Sequence, residues 1–167
     1  MSESIEYGIC ADVHLHNWTA FASHEADSTN TRLKIQLAEL ERAAQETVDA
    51  GSKRLVIAGD FFHVRGSVAP SVLNPALETL KRIAAKIEVI VLAGNHDLEH
   101  KKADTIGNAV RALDMFGVSV IDTPRWVQEL KLAFIPWVER VDDLRNVIAD
   151  LAVKISEVGG DPSSVDL

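Results

Sequence analysis

Cysteine is nearly missing from this sequence of 167 residues, in which Cys10 is the single example. No disulfide can form within the chain, and a lone thiol in an apolar stretch is expected to be buried and reduced. Aromatic residues are scarce at 5%, so a core drawn from the 47% hydrophobic fraction must be mostly aliphatic. Positive charge is in the minority: 17 Lys and Arg against 25 Asp and Glu give a formal net charge of -8. That balance argues against the broad basic surface of a non-specific nucleic-acid binder, although bound divalent cations would offset several charges locally. Apolar runs of the roughly 20 residues a membrane span needs are absent, and Met1-Ser2-Glu3-Ser4 lacks the basic start of a signal peptide. The expectation is a cytoplasmic chain without membrane contact. The length suits one domain, spanning 1–167, and neither a repeat nor a low-complexity segment interrupts it.

What is present is one design used three times. Leu55-Val56-Ile57-Ala58 runs into Gly59-Asp60-Phe61-Phe62-His63, residues 5–11 run into Asp12-Val13-His14, and Val89-Ile90-Val91-Leu92-Ala93 runs into Gly94-Asn95-His96-Asp97. Each reads as a buried parallel strand delivering polar residues to the sheet edge. In an open α/β sheet the ligand site lies beyond the carboxyl ends of the strands, so the three ends can converge. Between them, Leu33, Leu37, Leu40, Ala44 and Val48 mark a helix closed by Gly51. A second helix is expected over 70–87, starting between Pro70 and Pro75, because proline is tolerated only in a first turn. Its apolar stripe, including Leu73, Leu77 and Leu80, is wider than one sheet contact needs. A third helix through Ile106, Ala109, Val110 and Leu113 ends near Gly117, before a short strand at 118–121. Residues 126–130 and 132–135 read as strands of a more antiparallel kind, Leu144 to Ile155 as a fourth helix, and 165–167 as the start of another strand. The fold class is α/β: a mixed sheet with flanking helices.

The chemistry rests on the strand ends. Asp12 and His14, two apart on an extended strand end, would point the same way and grip one ion through a carboxylate oxygen and an imidazole nitrogen. Taken singly, the pair reads better as a turn-capping Asp and a surface His. Asp60 could reach the same ion and, with its second oxygen, a neighbouring one, as two-metal phosphoryl chemistry requires. Asn95 offers an amide oxygen, against the rival role of a left-handed turn residue after Gly94. His24 and His100 read as solvated, and His16 as an outer partner or a loop residue. Trp18 and Phe21 read first as packing anchors in the polar loop 14–30, with stacking on a splayed base the sharper alternative.

Together, Asp-x-His, Gly-Asp-x-x-His and Gly-Asn-His-Asp, each after a predicted strand, resemble the calcineurin-like metallophosphoesterase superfamily. The resemblance implies a two-metal centre in which Asp12, His14 and Asp60 hold one ion and Asp60 and Asn95 the other. His96 would stand beside the scissile phosphate as general acid or charge stabiliser, and Asp97 would fix its ring orientation. Within the superfamily, Gly59-Asp60-Phe61-Phe62-His63 followed by Pro70-Ser71 is most similar to SbcD-type DNA nucleases and phage recombination nuclease subunits. Protein phosphatases carry Gly-Asp-x-x-Asp-Arg-Gly and Gly-Asn-His-Glu instead. The resemblance gives His63 a part in placing the phosphodiester, and His16 stands where many relatives have glycine. It implies a DNA exo- or endonuclease of recombination or repair type using two divalent ions, manganese first, with magnesium, iron or zinc as alternatives. The partners implied are DNA, a second copy through helices 70–87 and 104–115, and an ATPase subunit. The superfamily also uses later histidines, and none follows His100 here. The expectation is thus an N-terminal portion of the domain that lacks C-terminal strands. Two alternatives stand beside the nuclease: a small-molecule phosphodiesterase or phosphatase, and a truncated, catalytically impaired assembly module.

Overall fold

The computed structural model describes residues 7–26, 29–63, 65–100 and 107–165. Four parallel strands, β1 (Gly8–Cys10), β2 (Arg54–Ala58), β3 (Glu88–Leu92) and β4 (Val118–Ile121), lie side by side in sequence order. Helices α1 (Thr31–Asp49) and α2 (Pro70–Ala84) make the first two crossovers and a 3₁₀ helix, Ala109–Phe116, the third. A separate antiparallel hairpin pairs β5 (Arg125–Val127) with β6 (Leu132–Phe134), and α3 (Val141–Glu157) follows it. The α/β class with flanking helices is as expected from the sequence. The antiparallel strands keep to their own hairpin and do not join the parallel sheet.

The apolar runs of the strands make sense because both faces of the sheet are covered. Leu55, Ile57, Val89, Val91 and Val118 pack with Leu33, Leu37, Leu40, Ala76, Leu80 and Ile83 from the two helices. The alternate residues Val56, Ile90 and Ile121 meet Leu130, Leu132 and Phe134 of the hairpin on the other side. The period of two in the strands thus splits one apolar run between two cores.

Helix α1 begins where the side chain of Asn30 accepts from the amides of Arg32 (3.0 Å) and Leu33 (3.1 Å). It ends before Gly51, whose φ of 85° is the left-handed closure expected of that glycine. Helix α2 starts at Pro70 but carries Pro75 in its interior, contrary to the expectation that the second proline must also lie in the first turn. The fold accepts one missing i→i−4 bond there because Val72, Ala76, Thr79, Leu80 and Ile83 bury the helix along its length. The expected third helix is a 3₁₀ helix over 109–116, opened by the Asn108 side chain and closed by Gly117 at φ 76°. Its tighter winding rises about 2.0 Å per residue, so a short crossover reaches further along the sheet. The strand expected over 126–130 ends at Val127, and Gln128–Leu130 winds into a turn that Lys131 closes at φ 52°. Near the end of the chain, Pro162–Ser164 forms a 3₁₀ turn. Residues 5 and 6 of the first expected strand, Ile106 and the rest of 104–106, and residues 166 and 167 lie outside the described residues.

Candidate metal centre

All three βα turns leave the sheet at its carboxyl edge. Beyond β1 and β2 the chain stays clamped: the amide of His14 donates to Asp60 O (2.9 Å), that of Leu15 to Phe61 O (2.9 Å), and that of His63 to Leu15 O (3.2 Å). From α1, Gln36 Nε2 reaches the carbonyls of Val13 (3.1 Å) and His14 (2.9 Å). These bonds hold a backbone that residues other than glycine adopt only uncommonly. Among the described residues, positive φ occurs outside glycine at Asp12 (54°), His14 (48°), Phe21 (55°), Asp60 (51°) and Lys131 (52°). Three of these five are candidate ligands, and local strain concentrated at one place is what a functional site looks like. Asp12 and His14 do not converge as alternate residues of an extended strand, as the sequence suggested. They converge because both turn left-handed. Asn95, by contrast, has no positive φ, so the rival role of left-handed turn residue falls away.

The side chains meet accordingly. His14 Nε2 stands 3.7 Å from Asp12 Oδ1 and 3.7 Å from Asp60 Oδ2. The three donor atoms lie within 4.8 Å of one another, a group able to hold a metal ion. Ligand atoms that share an ion at about 2.1 Å stand roughly 3 to 3.5 Å apart, so only a small inward movement separates this arrangement from coordination. Asp60 is buried (8% exposed) while the Asp12 side chain is 74% exposed, giving the site one inner and one outer carboxylate. Asp60 Oδ1 accepts from the amide of His96 at 2.8 Å. Gly94 is required here, because a Cβ on it would overlap the backbone nitrogen and carboxylate of Asp60. On the far side of Asp60 lies Asn95. Its amide satisfies its neighbours in one orientation, Nδ2 donating to Asp60 Oδ2 (3.0 Å) and Oδ1 (3.2 Å) and Oδ1 accepting from Arg65 Nη2 (2.7 Å). Asp60 therefore sits between His14 and Asn95. A cation fits this donor set: lone-pair oxygens and an imidazole nitrogen crowd together, and an amide rotation would add a further oxygen.

The remaining histidines form one cluster beside these ligands. His96 Nδ1 meets the carbonyl oxygen of His63 at 2.6 Å. A carbonyl only accepts, so this nitrogen carries the hydrogen and Nε2 is left for another partner. The ring of His63 stacks on that of His96 (centroids 5.4 Å apart, 17°), and its Nδ1 lies 3.4 Å from His14 Nδ1. Burial first, and then the imidazoles of His14, His16 and His96, push His63 below the ordinary histidine range, with Asp60 pulling the other way. Trp18 packs on His63 at 4.4 Å and His16 lies 5.3 Å from the same ring. Trp18 is held by Asn30, whose Nδ2 donates to its carbonyl at 2.8 Å while the same side chain caps α1. Trp18 is an anchor, as first read, but Phe21 is fully exposed and anchors nothing among the described residues. His24 and His100 are exposed.

Asp97 does something other than hold the ring of His96. Its two oxygens accept from the amides of Phe61 (3.3 Å), Phe62 (2.9 Å) and Gly94 (2.9 Å), tying the turn after β2 to the turn after β3. Burial lifts its carboxyl above the usual carboxylate range, and the three amides oppose that lift. The orienting partner of His96 is instead the His63 carbonyl.

The site opens into a cleft of about 260 Å³ lined by Asp12, Asp60, Asn95, Ile135 and Trp137, among others. Trp137 enters because its amide donates to Ala93 O (3.0 Å), which draws the chain after β6 onto the end of β3. Sequence reasoning missed both Trp137 and Arg65. The only signals were a tryptophan right after a predicted strand and a basic residue two places after His63.

Oxygen and imidazole donors gathered at the carboxyl edge of a parallel sheet define the class, an α/β protein with a candidate centre for divalent cations. Residues 6–161 match the family described as calcineurin-like phosphoesterase, and the chain belongs to that family. Among solved structures, the chain is similar to the nuclease MPE of Pseudomonas putida at 25% identity and a TM-score of 0.48, over 76% of this chain and 52% of that one. It is also similar to a dimetal phosphatase from Danio rerio at 17% identity and a TM-score of 0.37, over 54% of this chain and 29% of that one. The chain thus spans about half the length of the first.

Proposed function

We propose that this chain is a two-metal phosphodiester hydrolase acting on DNA, with manganese as the working ion. The observation that supports the reading best is the placement of Asp60 between His14 and Asn95, beside a histidine whose Nδ1 is held by the His63 carbonyl. Asp12, His14 and Asp60 would hold one cation, and Asp60 and Asn95 the other. When bound, the pair supplies positive charge to the phosphoryl oxygens and lowers the pKa of the attacking water. His96, fixed through Nδ1, turns Nε2 to the reacting phosphate, where it stabilises charge or delivers a proton to the leaving oxygen. His63, whose imidazole is held below the ordinary histidine range by burial and the neighbouring imidazoles, orients His96 through its backbone carbonyl. The DNA substrate is supported by the Gly-Asp-x-x-His and Gly-Asn-His-Asp pattern.

The test is cleavage of single-stranded DNA beside a nitrophenyl phosphomonoester and a nitrophenyl phosphodiester, each with manganese, and with Asp60→Ala as control. The expected result is DNA cleavage that Asp60→Ala abolishes. Turnover of the small esters alone would replace the nuclease reading with that of a small-molecule phosphoesterase.

A further inference from the structure

Five other arginines in this acidic chain pair with carboxylates: Arg42 with Glu39 and Glu46, Arg54 with Glu88, Arg82 with Glu41, Arg111 with Asp122 and Arg145 with Asp142. Arg32 instead lies over the Trp18 ring and donates to the Ala20 carbonyl. Arg65 has no carboxylate partner among the described residues. It is half-buried, it follows the His63 turn, and its Nη2 stands 2.7 Å from the Asn95 amide, which offers it an oxygen in the orientation that also lets Nδ2 donate to Asp60. A guanidinium aimed at a cluster of metal-type ligands needs an explanation, because two positive groups drawing on one site repel each other.

The amide of Asn95 supplies one. Its oxygen can serve Arg65 or a cation beside Asp60, and not both. With the oxygen turned to a cation, Nδ2 faces Arg65 Nη2, donor against donor, and the 2.7 Å bond is lost. The guanidinium is then unpaired next to added positive charge, and the group that relieves both is an anion lying between them. A phosphate ester suits this position, since its oxygens match the planar fork of arginine.

Resting on the metallophosphoesterase reading, we propose that Arg65 is a phosphate-binding residue of the site. It is parked on Asn95 while no cation draws on that oxygen, and it passes to a non-bridging phosphoryl oxygen when one does. Metal binding and phosphate binding are thereby linked through a single side chain, and by linkage each strengthens the other.

The experiment uses inorganic phosphate and manganese as probes, with calorimetry on the wild type, Arg65→Ala and Arg65→Lys, and circular dichroism to confirm folding. Arg65→Ala should bind manganese alone at least as tightly as the wild type, since a competitor for the Asn95 oxygen is gone. Its manganese-loaded form should bind phosphate about tenfold or more weakly, with the KM for an oligonucleotide rising by more than kcat falls. Arg65→Lys should recover part of the phosphate affinity, because it keeps the charge without the fork. Wild-type phosphate affinity in loaded Arg65→Ala would overturn the proposal. So would weaker manganese binding in that variant without phosphate, which would make Arg65 a support for Asn95. A wild type that neither binds phosphate nor cleaves any ester with manganese removes the functional reading and this proposal together. A wild type that does both, beside an unchanged Arg65→Ala, removes this proposal alone.

Discussion

Asp97 accepts three backbone amides while only 1% exposed, so its carboxylate joins two turns that the metal-type ligands depend on. Replacing it with Asn puts an amide NH₂ where an oxygen stood and leaves at least one buried N–H without an acceptor. We expect Asp97→Asn to lose roughly 1–3 kcal/mol of stability, the usual cost of an unsatisfied buried group. Urea unfolding of the metal-free protein measures it. An unchanged midpoint would mean that the turns hold without this carboxylate and would return Asp97 to a role at the His96 ring. The same scale explains why Gly94 precedes Asn95. No side chain fits between the two turns, because Asp60 already occupies the space.

Helix α2 was expected to present a wide apolar stripe to a second copy, with Leu80 at its centre. Leu80 is 0% exposed and belongs to the core shared with α1 and the sheet. Leu73 and Leu77 remain half-buried and are the residues left to contact a partner. Two substitutions therefore separate folding from association. Leu80→Glu should unfold the chain or cost more than about 3 kcal/mol, since it buries a charge without a partner. Leu77→Glu should leave the far-ultraviolet circular dichroism intact and shift sedimentation toward monomer, if a second copy docks along α2. A Leu77→Glu protein that sediments like the wild type at every concentration would count against that pairing.

For the molecule as a whole, the sheet ends at β1, whose outer edge pairs with no strand among the described residues; there Ile9 is 61% exposed. Cys10 lies on the same strand, and burial pushes its thiol up to about 11 from 9.0. A folded-state pKa above the unfolded value means that the stabilisation from this group is complete below about pH 9. It is lost as pH rises toward 11. At pH 8 the thiolate fraction should be about 100-fold smaller in the folded chain than in urea, and iodoacetamide labelling slower by that factor. Equal rates would mean that β1 detaches from the sheet on the labelling timescale. Among the described residues no helix is long and apolar enough to cross a membrane.

Much of this was decided in the sequence. Apolar runs stopping at Gly-Asp, at Asp-x-His and at Gly-Asn-His-Asp determined the parallel strands and which residues reach their carboxyl edge. Those are short-range properties of period and chain chemistry. The spacing of Leu33, Leu37, Leu40 and Ala44 likewise determined α1. Long-range packing decided the rest. Left-handed backbone at Asp12, His14 and Asp60 has only a weak signature in residue type, since Asp and His tolerate that region better than most residues, and hydrogen bonds from the neighbouring turns and α1 select it. That Asp97 serves backbone amides, that the His63 carbonyl orients His96, that Leu80 is core and that Arg65 reaches Asn95 all depend on distances across more than one turn. No periodicity encodes them, and only the docking of three strand ends at one edge brings those groups together.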